Sequence, residues 1–220
     1  MNRTVVLLSG GLDSTVLAAA LAKRHEVHAL TIHYGQRHAI ELLAAKRVAE
    51  ALAIPHRQVD LRDFGKLLPN SSQTDVTVAV PHGHYEEESM RTTVVPNRNM
   101  VMLAVAAGHA LAIGARSVAI AAHAGDHAVY PDCREEFFTA FVRAVRQGNW
   151  DAEGFTVDRP FVGASKADIV TLGVAEGAPL ALSYSCYEGK SKHCGKCGTC
   201  VERREAFSLA GVVDPTEYEP

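Results

Sequence analysis

The sequence has no apolar run approaching the ~20 residues that a membrane-spanning helix needs. Its short N-terminal apolar run is not followed by a small-residue cleavage site, so no signal peptide is expected and the expected location is cytoplasmic. A basic excess is also missing: Lys and Arg number 22 against 25 Asp and Glu, a formal net charge of −3. Proteins whose main partner is a duplex or a whole tRNA more often carry surplus positive charge, because phosphate contacts dominate that affinity. Direct contact with nucleic acid is therefore not expected. Internal repeats and low-complexity segments are absent as well. Cysteine is scarce except in one place, since only Cys133 of the five lies outside residues 186–200. In a cytosolic setting such a cluster points to metal rather than to disulfides.

What remains is ordinary soluble composition, 47 % hydrophobic and 21 % charged over 220 residues, enough for one good-sized domain with a small appendage. Residues 4–8 form a β-branched and apolar run, the pattern of a strand buried on both faces, and residues 13–24 an Ala/Leu-rich helix. Residues 27–33 read as a second strand, 38–53 as an amphipathic helix stopping before Pro55, and 58–61 as a third strand. Residues 62–96 break this rhythm with Pro69, Pro81, Gly83 and Pro96, the composition of a lid or mobile segment. Asn97 is placed to cap a helix to about residue 113; a fourth strand over 117–122 and a helix over 135–147 follow. Ser165 and Asp168 have the spacing of a capping box opening a helix through Glu176, and a last helix is expected over 199–209. The alternation predicts an α/β fold, a doubly wound parallel sheet of Rossmann-like type with a small C-terminal helical, metal-binding region. The expected division is residues 1–180 as nucleotide-binding domain and 181–220 as the four-cysteine region with its helix.

Between the first strand and first helix stands Ser9-Gly10-Gly11-Leu12-Asp13-Ser14. Two glycines let the backbone turn tightly and bring N–H groups close to an anion, and the helix N-terminus adds its own donors. Ser9 and Ser14 offer hydroxyls to phosphate oxygens. Asp13 would cap the helix or hold a magnesium ion bridging phosphates. The full motif resembles the PP-loop of the ATP pyrophosphatases, which split ATP into AMP and pyrophosphate. Gly189-Lys190-Ser191 imitates the end of a Walker A motif, but Tyr184 occupies the place of its first glycine.

Cys186, Cys194, Cys197 and Cys200 follow the pattern C-x7-C-x2-C-x2-C. The two short spacings let one tight loop present three thiolates, with Cys186 closing a tetrahedral set from a preceding strand end. Lys192 and Lys196 would offset part of the negative charge. Four thiolates leave no open coordination position, so the metal is structural. The ligands alone do not separate zinc from an iron–sulfur cluster, with a redox dithiol as a third option.

The stretches YGQRHAIELLAA (34–45), VVPNRNM (94–100), YPDCREEF (130–137), SKADI (165–169) and HCGKCGTC (193–200) follow the loop in order. Together they resemble the 7-cyano-7-deazaguanine synthase family, the nitrile-forming enzymes of the queuosine pathway, over nearly the whole chain. The resemblance implies an ATP-dependent carbon–nitrogen ligase using 7-carboxy-7-deazaguanine, ammonia and ATP with Mg2+, one structural zinc ion per chain, and a homodimer. By position it assigns ATP binding to Leu8, Ser9, Gly10, Gly11, Leu12, Asp13, Ser14 and Thr15, and zinc to the four clustered cysteines. Around them, Tyr34 and Gln36 follow the second strand at the crevice where α/β ligands sit. Arg98 and Asn99 open a helix toward phosphate or the substrate carboxylate. Asp126, Tyr130, Asp132 and Cys133 follow the fourth strand and are candidates for reading the guanine-like edge; Lys166 is a candidate for pyrophosphate or the α-phosphate. Asp13, Lys166 and Arg98 are the expected catalytic groups. Rival readings are an amide-forming relative serving nucleic-acid modification, a tRNA-thiolating PP-loop enzyme, which would want a basic surface, and a non-catalytic zinc-binding module.

Overall fold

Val5 and Leu7 of β1 (Arg3–Leu7) enter one apolar core, while Val6, with Leu8 just beyond the strand, enters another. A strand buried on both faces needs an unbroken apolar run, and it needs helices on both sides. The computed structural model, which describes residues 2–84, 88–126 and 130–220, supplies both. After β1 the chain forms α1 (Leu12–Ala22), β2 (Glu26–His33), α2 (Ile40–Ala51), β3 (His56–Asp60) and a short α3 (Arg62–Lys66). It continues through α4 (Arg98–Ala112), β4 (Ser117–Ala119), α5 (Glu135–Gly148), β5 (Thr156–Asp158), α6 (Lys166–Ala175) and α7 (Gly198–Leu209). The five strands pair only in parallel, in the order β3-β2-β1-β4-β5, with Thr4 in register with Val27 on one side and Ser117 on the other.

Helices α1, α2, α6 and α7 close one face through Val16, Val48, Ile169 and Phe207. Helices α4 and α5 close the other through Leu103, Ala107, Phe138 and Phe141. The chain winds outward from β1 to β3, then crosses back along α4 to β4. The strand order therefore reverses between β1 and β4, and a crevice opens at their carboxyl ends.

The doubly wound parallel sheet is as expected, and Ser165 and Asp168 form the reciprocal capping box that starts α6. Four local expectations are corrected. The fourth strand stops at Ala119, although the Ile120 N–H still donates to the Asp158 carbonyl (3.0 Å) on β5. That edge strand is only Thr-Val-Asp, too short to show a period. The described residues between 62 and 96 form no detached lid: Ser71, Ser72, Gln73, Met90 and Thr93 are buried, and a 3-10 turn spans Glu88–Thr93. Asn97 precedes α4 in the left-handed region (φ 57°) and makes no side-chain cap. Its place is taken by the Asp132 carboxylate, which accepts the Asn99 N–H (3.3 Å). Among the described residues no helix is long and apolar enough to cross a membrane.

Candidate active site and metal centre

The β1–α1 loop is shaped by close packing. Gly10 has φ +90°, and a Cβ there would fall 2.3 Å from the Glu41 carbonyl oxygen on α2. Only glycine lets the loop lie on that helix. The Tyr184 N–H donates to the Gly10 carbonyl (2.8 Å), tying the loop to the segment that leads into the cysteines. The first intrahelical bond of α1 runs from the Thr15 N–H to the Gly11 carbonyl (3.1 Å), so the N–H groups of Leu12, Asp13 and Ser14 precede the helical ladder. The Ser9 and Ser14 hydroxyls lie 3.0 Å apart beside them. This is an anion cradle of donors with one carboxylate set into it. Asp13 does not cap α1, whose N-cap is Gly11 with no side-chain cap.

Asp13 instead faces a buried cation. Lys166, the first residue of α6, places its Nζ 3.1 Å from Asp13 Oδ2, 2.6 Å from Glu202 Oε2 and 3.5 Å from His123 Nε2. Lys166 is not a solvated surface residue, since its side chain is only 13 % exposed. Burial opposes the ammonium charge, but Asp13, Glu202 and Asp126 outweigh it and hold the pKa well above the usual lysine range. Asp13 Oδ1 is buried without a hydrogen-bond partner among the described residues. An orphaned carboxylate oxygen at a phosphate cradle fits a magnesium ligand better than a structural one.

The same crevice is lined further out by Tyr34, Arg98, Asn99, Met102, Asp126, Tyr130 and Cys133. Arg98 is half-buried near the hydroxyls of Tyr34, Tyr130 and Tyr187, its guanidinium 5.4 Å from the Tyr130 ring centroid. Burial works against its charge, yet those hydroxyls and Asp132 hold its pKa well above the ordinary value. Two cations, Lys166 and Arg98, thus face one crevice whose wall carries the loop. Tyr130 shares a hydrogen bond with Thr93 (2.8 Å), and Asn99 Nδ2 donates to Cys133 Sγ (3.4 Å).

Gln36 and Asp132 do not line the crevice. Gln36 accepts the Tyr34 N–H (2.9 Å) and donates to Glu41 (2.8 Å), while Asp132 holds Asn99, so both act from behind the wall. Gly10 and Thr15 likewise shape the loop without facing the crevice; the Thr15 hydroxyl donates to the Gly11 carbonyl (2.8 Å). Burial, first of its causes, pushes the Cys133 thiol up to about 12, so it stays protonated and is not a nucleophile. Cys133→Ala is therefore expected to keep turnover within roughly threefold of wild type, with a modest loss of stability from the vacated apolar site. A steady-state assay checks this.

Sequence reasoning missed His38, Glu41, His123 and Glu202. His38 and Glu41 lie in a stretch read as helix, but the helix begins at Ile40 and His38 stands in the turn before it, on the crevice wall. Glu202 comes from α7, and nothing local marks it as a partner for a lysine 36 residues earlier.

Cys186, Cys194, Cys197 and Cys200 are all buried, with their Sγ atoms within 4.8 Å of one another. Tetrahedral thiolate coordination sets sulfurs about 3.8 Å apart when each lies about 2.3 Å from a zinc ion, and the Cys194 and Cys200 sulfurs are 4.0 Å apart. The N–H groups of Lys196 and Cys197 donate to Cys194 Sγ (3.4 and 3.3 Å), and that of Cys194 to Cys186 Sγ (3.3 Å). Such donors favour thiolates, so the cluster fits a metal ion. Cys186 arrives on a loop after a 3-10 turn (Leu180–Leu182), not on a strand end. Lys192 pairs with Glu217 (3.1 Å), which takes its charge away from the thiolates. Cys197 stands at the N-cap position of α7 and Cys200 lies in its first turn, so the cluster anchors the helix that carries Glu202.

A family model described as queuosine biosynthesis protein QueC matches residues 3–211. The chain is 51 % identical over 218 residues to 7-cyano-7-deazaguanine synthase of Brucella anthropi, covering 99 % of this chain and 94 % of that protein. It is 46 % identical over 219 residues to the enzyme of the same name from Pseudoalteromonas translucida, covering 99 % of each. Among solved structures, NMN synthetase from Francisella tularensis superposes with a TM-score of 0.50 at 15 % identity, covering 96 % of this chain and 77 % of that one. At that identity the likeness concerns the fold alone.

Proposed function

Because the chain belongs to the queuosine biosynthesis protein QueC family, we propose that it converts 7-carboxy-7-deazaguanine, ammonia and ATP to 7-cyano-7-deazaguanine. The observation that carries this reading is one crevice holding both an anion cradle and two partly buried cations, Lys166 and Arg98.

A carboxylate resists ammonia because its leaving group would be oxide. Attack of the carboxylate oxygen on the α-phosphorus of ATP expels pyrophosphate and gives an acyl adenylate, from which AMP leaves readily. Ammonia then gives the amide. Attack of the amide oxygen on the α-phosphorus of a second ATP expels pyrophosphate, and loss of both nitrogen protons with departure of AMP then gives the nitrile. The protein's task is to balance phosphate charge, align reactants and exclude water. The loop donors with Ser9 and Ser14 hold the phosphates, and Lys166 balances charge on the α-phosphate or departing pyrophosphate. Arg98 receives the substrate carboxylate, while Tyr34, Asn99, Asp126 and Tyr130 read the edge of the base. Gln36 and Asp132 hold Tyr34 and Asn99 in place. Magnesium bound through Asp13 would supply further charge neutralisation at the phosphates. Zinc is the metal proposed for the four cysteines, with a structural role. A cytoplasmic homodimer completes the reading, and light scattering should return twice the mass of the chain.

The test incubates the protein with ATP, magnesium, ammonium and 7-carboxy-7-deazaguanine and follows products by mass spectrometry. The nitrile, AMP and pyrophosphate are expected, with one zinc per chain by metal analysis. Accumulation of amide alone, or no turnover of this acid, overturns the proposal.

A further inference from the structure

Of the carboxylates lining the crevice, Asp13 pairs with Lys166, and Asp126 accepts the His123 N–H (3.1 Å) and lies 3.5 Å from the His123 ring. Glu41 is different. Its residue is 9 % exposed, and among the described residues it makes no ion pair with a lysine or arginine. Its Oε1 accepts the Gln36 amide (2.8 Å), and its Oε2 lies 3.3 Å from His38 Nε2. A buried carboxylate is costly without a cation to balance it. The second observation is His38 itself, which is 5 % exposed and lines the crevice. Its Nδ1 is buried with no hydrogen-bond partner among the described residues. Glu41 beside Nε2 favours the tautomer with its proton there, which leaves Nδ1 as an acceptor. The Tyr187 ring, 5.4 Å from the imidazole, covers it, and the first turn of α2 rests on Gly10 of the loop. A carboxylate and an unpartnered ring nitrogen, both buried, therefore line the same crevice as the β1–α1 loop and Arg98.

We infer that Glu41 and His38 form the binding site of the nitrogen donor, taken up as ammonium, with His38 receiving its proton; this rests on the reaction proposed above. Glu41 supplies the negative charge that draws the cation out of water. Transfer of one proton from ammonium to His38 Nδ1 leaves ammonia. Its lone pair forms the C–N bond at the acyl carbon. The C–O bond to the adenylate then breaks with its electron pair leaving on AMP, and a second proton leaves the nitrogen for solvent as the amide forms. Both acceptors belong to this one step, because the nitrogen that becomes the nitrile is already attached when the second ATP is used.

Hydroxylamine separates this role from a structural one, because it is an uncharged nucleophile at neutral pH and traps the same acyl adenylate as a hydroxamate. In Glu41→Gln, a loss of one charge-assisted contact is expected to raise the KM for ammonium roughly tenfold to a hundredfold. The rate with hydroxylamine should change far less. In His38→Ala, turnover at saturating ammonium should fall while hydroxamate formation persists. Exchange of labelled pyrophosphate into ATP, which requires the acid but no nitrogen source, reports an assembled site in each variant. An unchanged KM for ammonium in Glu41→Gln overturns the inference, as do equal losses with both nucleophiles or loss of the exchange. If the wild-type protein itself lacks acid-dependent exchange, the underlying reaction fails instead, and the two failures are told apart.

Discussion

Replacing Lys166 with Met is expected to lower acid-dependent ATP–pyrophosphate exchange by ~10²–10³-fold, the scale of removing one preorganised donor from developing charge. The lysine sets its ammonium among Asp13, Glu202 and His123. Removing its charge leaves two carboxylates, 19 % and 16 % exposed, without their cation. The stability loss is expected to reach ~3–5 kcal/mol, as for other broken buried pairs. Two measurements separate these effects. Lys166→Arg keeps the charge and should recover much of the stability, but its planar fork cannot replace a compact ammonium between two carboxylates and the phosphate, so exchange should stay well below wild type. The pH dependence gives the second. The folded-state pKa of Lys166 is raised, so its stabilisation is complete below the ordinary lysine value of about 10.4 and is lost only as the solution becomes more alkaline. Wild-type stability should therefore show no contribution from Lys166 to its pH slope between pH 6 and 9. If Lys166→Met keeps exchange within a few-fold while remaining folded, the lysine does not act on phosphate.

Glu202 belongs to the same cluster as a positioning residue, acting through Lys166. Glu202→Gln should weaken exchange less than Lys166→Met does, chiefly by raising the KM for ATP. A double variant should cost little more than Lys166→Met alone, because the two residues share one interaction.

What could be read in the sequence was whatever one short segment carries by itself. The loop from Ser9 to Ser14 is a strand end, two glycines and a helix start, and its donors follow from that local geometry. The four cysteines were equally legible, since three of them sit within seven residues. Both faces of β1 announced the doubly wound sheet. The rest was hidden because it depends on long-range convergence. Lys166 could be recognised only as a helix-start residue, since its partners Asp13 and Glu202 lie on α1 and α7. The Asp132 carboxylate reaches the start of α4 from a loop more than thirty residues on, where Asn97, in its left-handed conformation, supplies no cap. His38 was counted into α2, and only the turn before Ile40 brings its ring to the crevice. β5 was lost because three residues at a sheet edge have no period to detect.

Removing the metal from the cysteine cluster should disable ATP chemistry that the metal never touches. Cys197 stands at the N-cap position of α7 and Cys200 lies in its first turn, so the cluster fixes where that helix begins. Two residues on, Glu202 reaches Lys166, and the next residue, Arg203, is fully buried. Arg203 donates to Asp214 (3.1 Å), Ser183 (2.9 Å) and Ser185 (3.3 Å), which joins the helix to the chain entering and leaving the cluster. Four buried thiolates without a cation repel one another and are unlike any stable core. Chelation under mildly destabilising conditions is therefore expected to lower the Tm by ~10 °C or more, given folding energies typical of structural thiolate sites. It should also turn an unreactive protein into one with four thiols open to a disulfide reagent, while Cys133, 3 % exposed under α4, stays protected. Acid-dependent exchange should fall with the appearance of those thiols and return when zinc is added back. Thiols that react rapidly before chelation, or a Tm that chelation does not move, would show that the cluster holds no structural metal. Exchange that survives full thiol exposure would show that Glu202 does not depend on the cluster for its place beside Lys166.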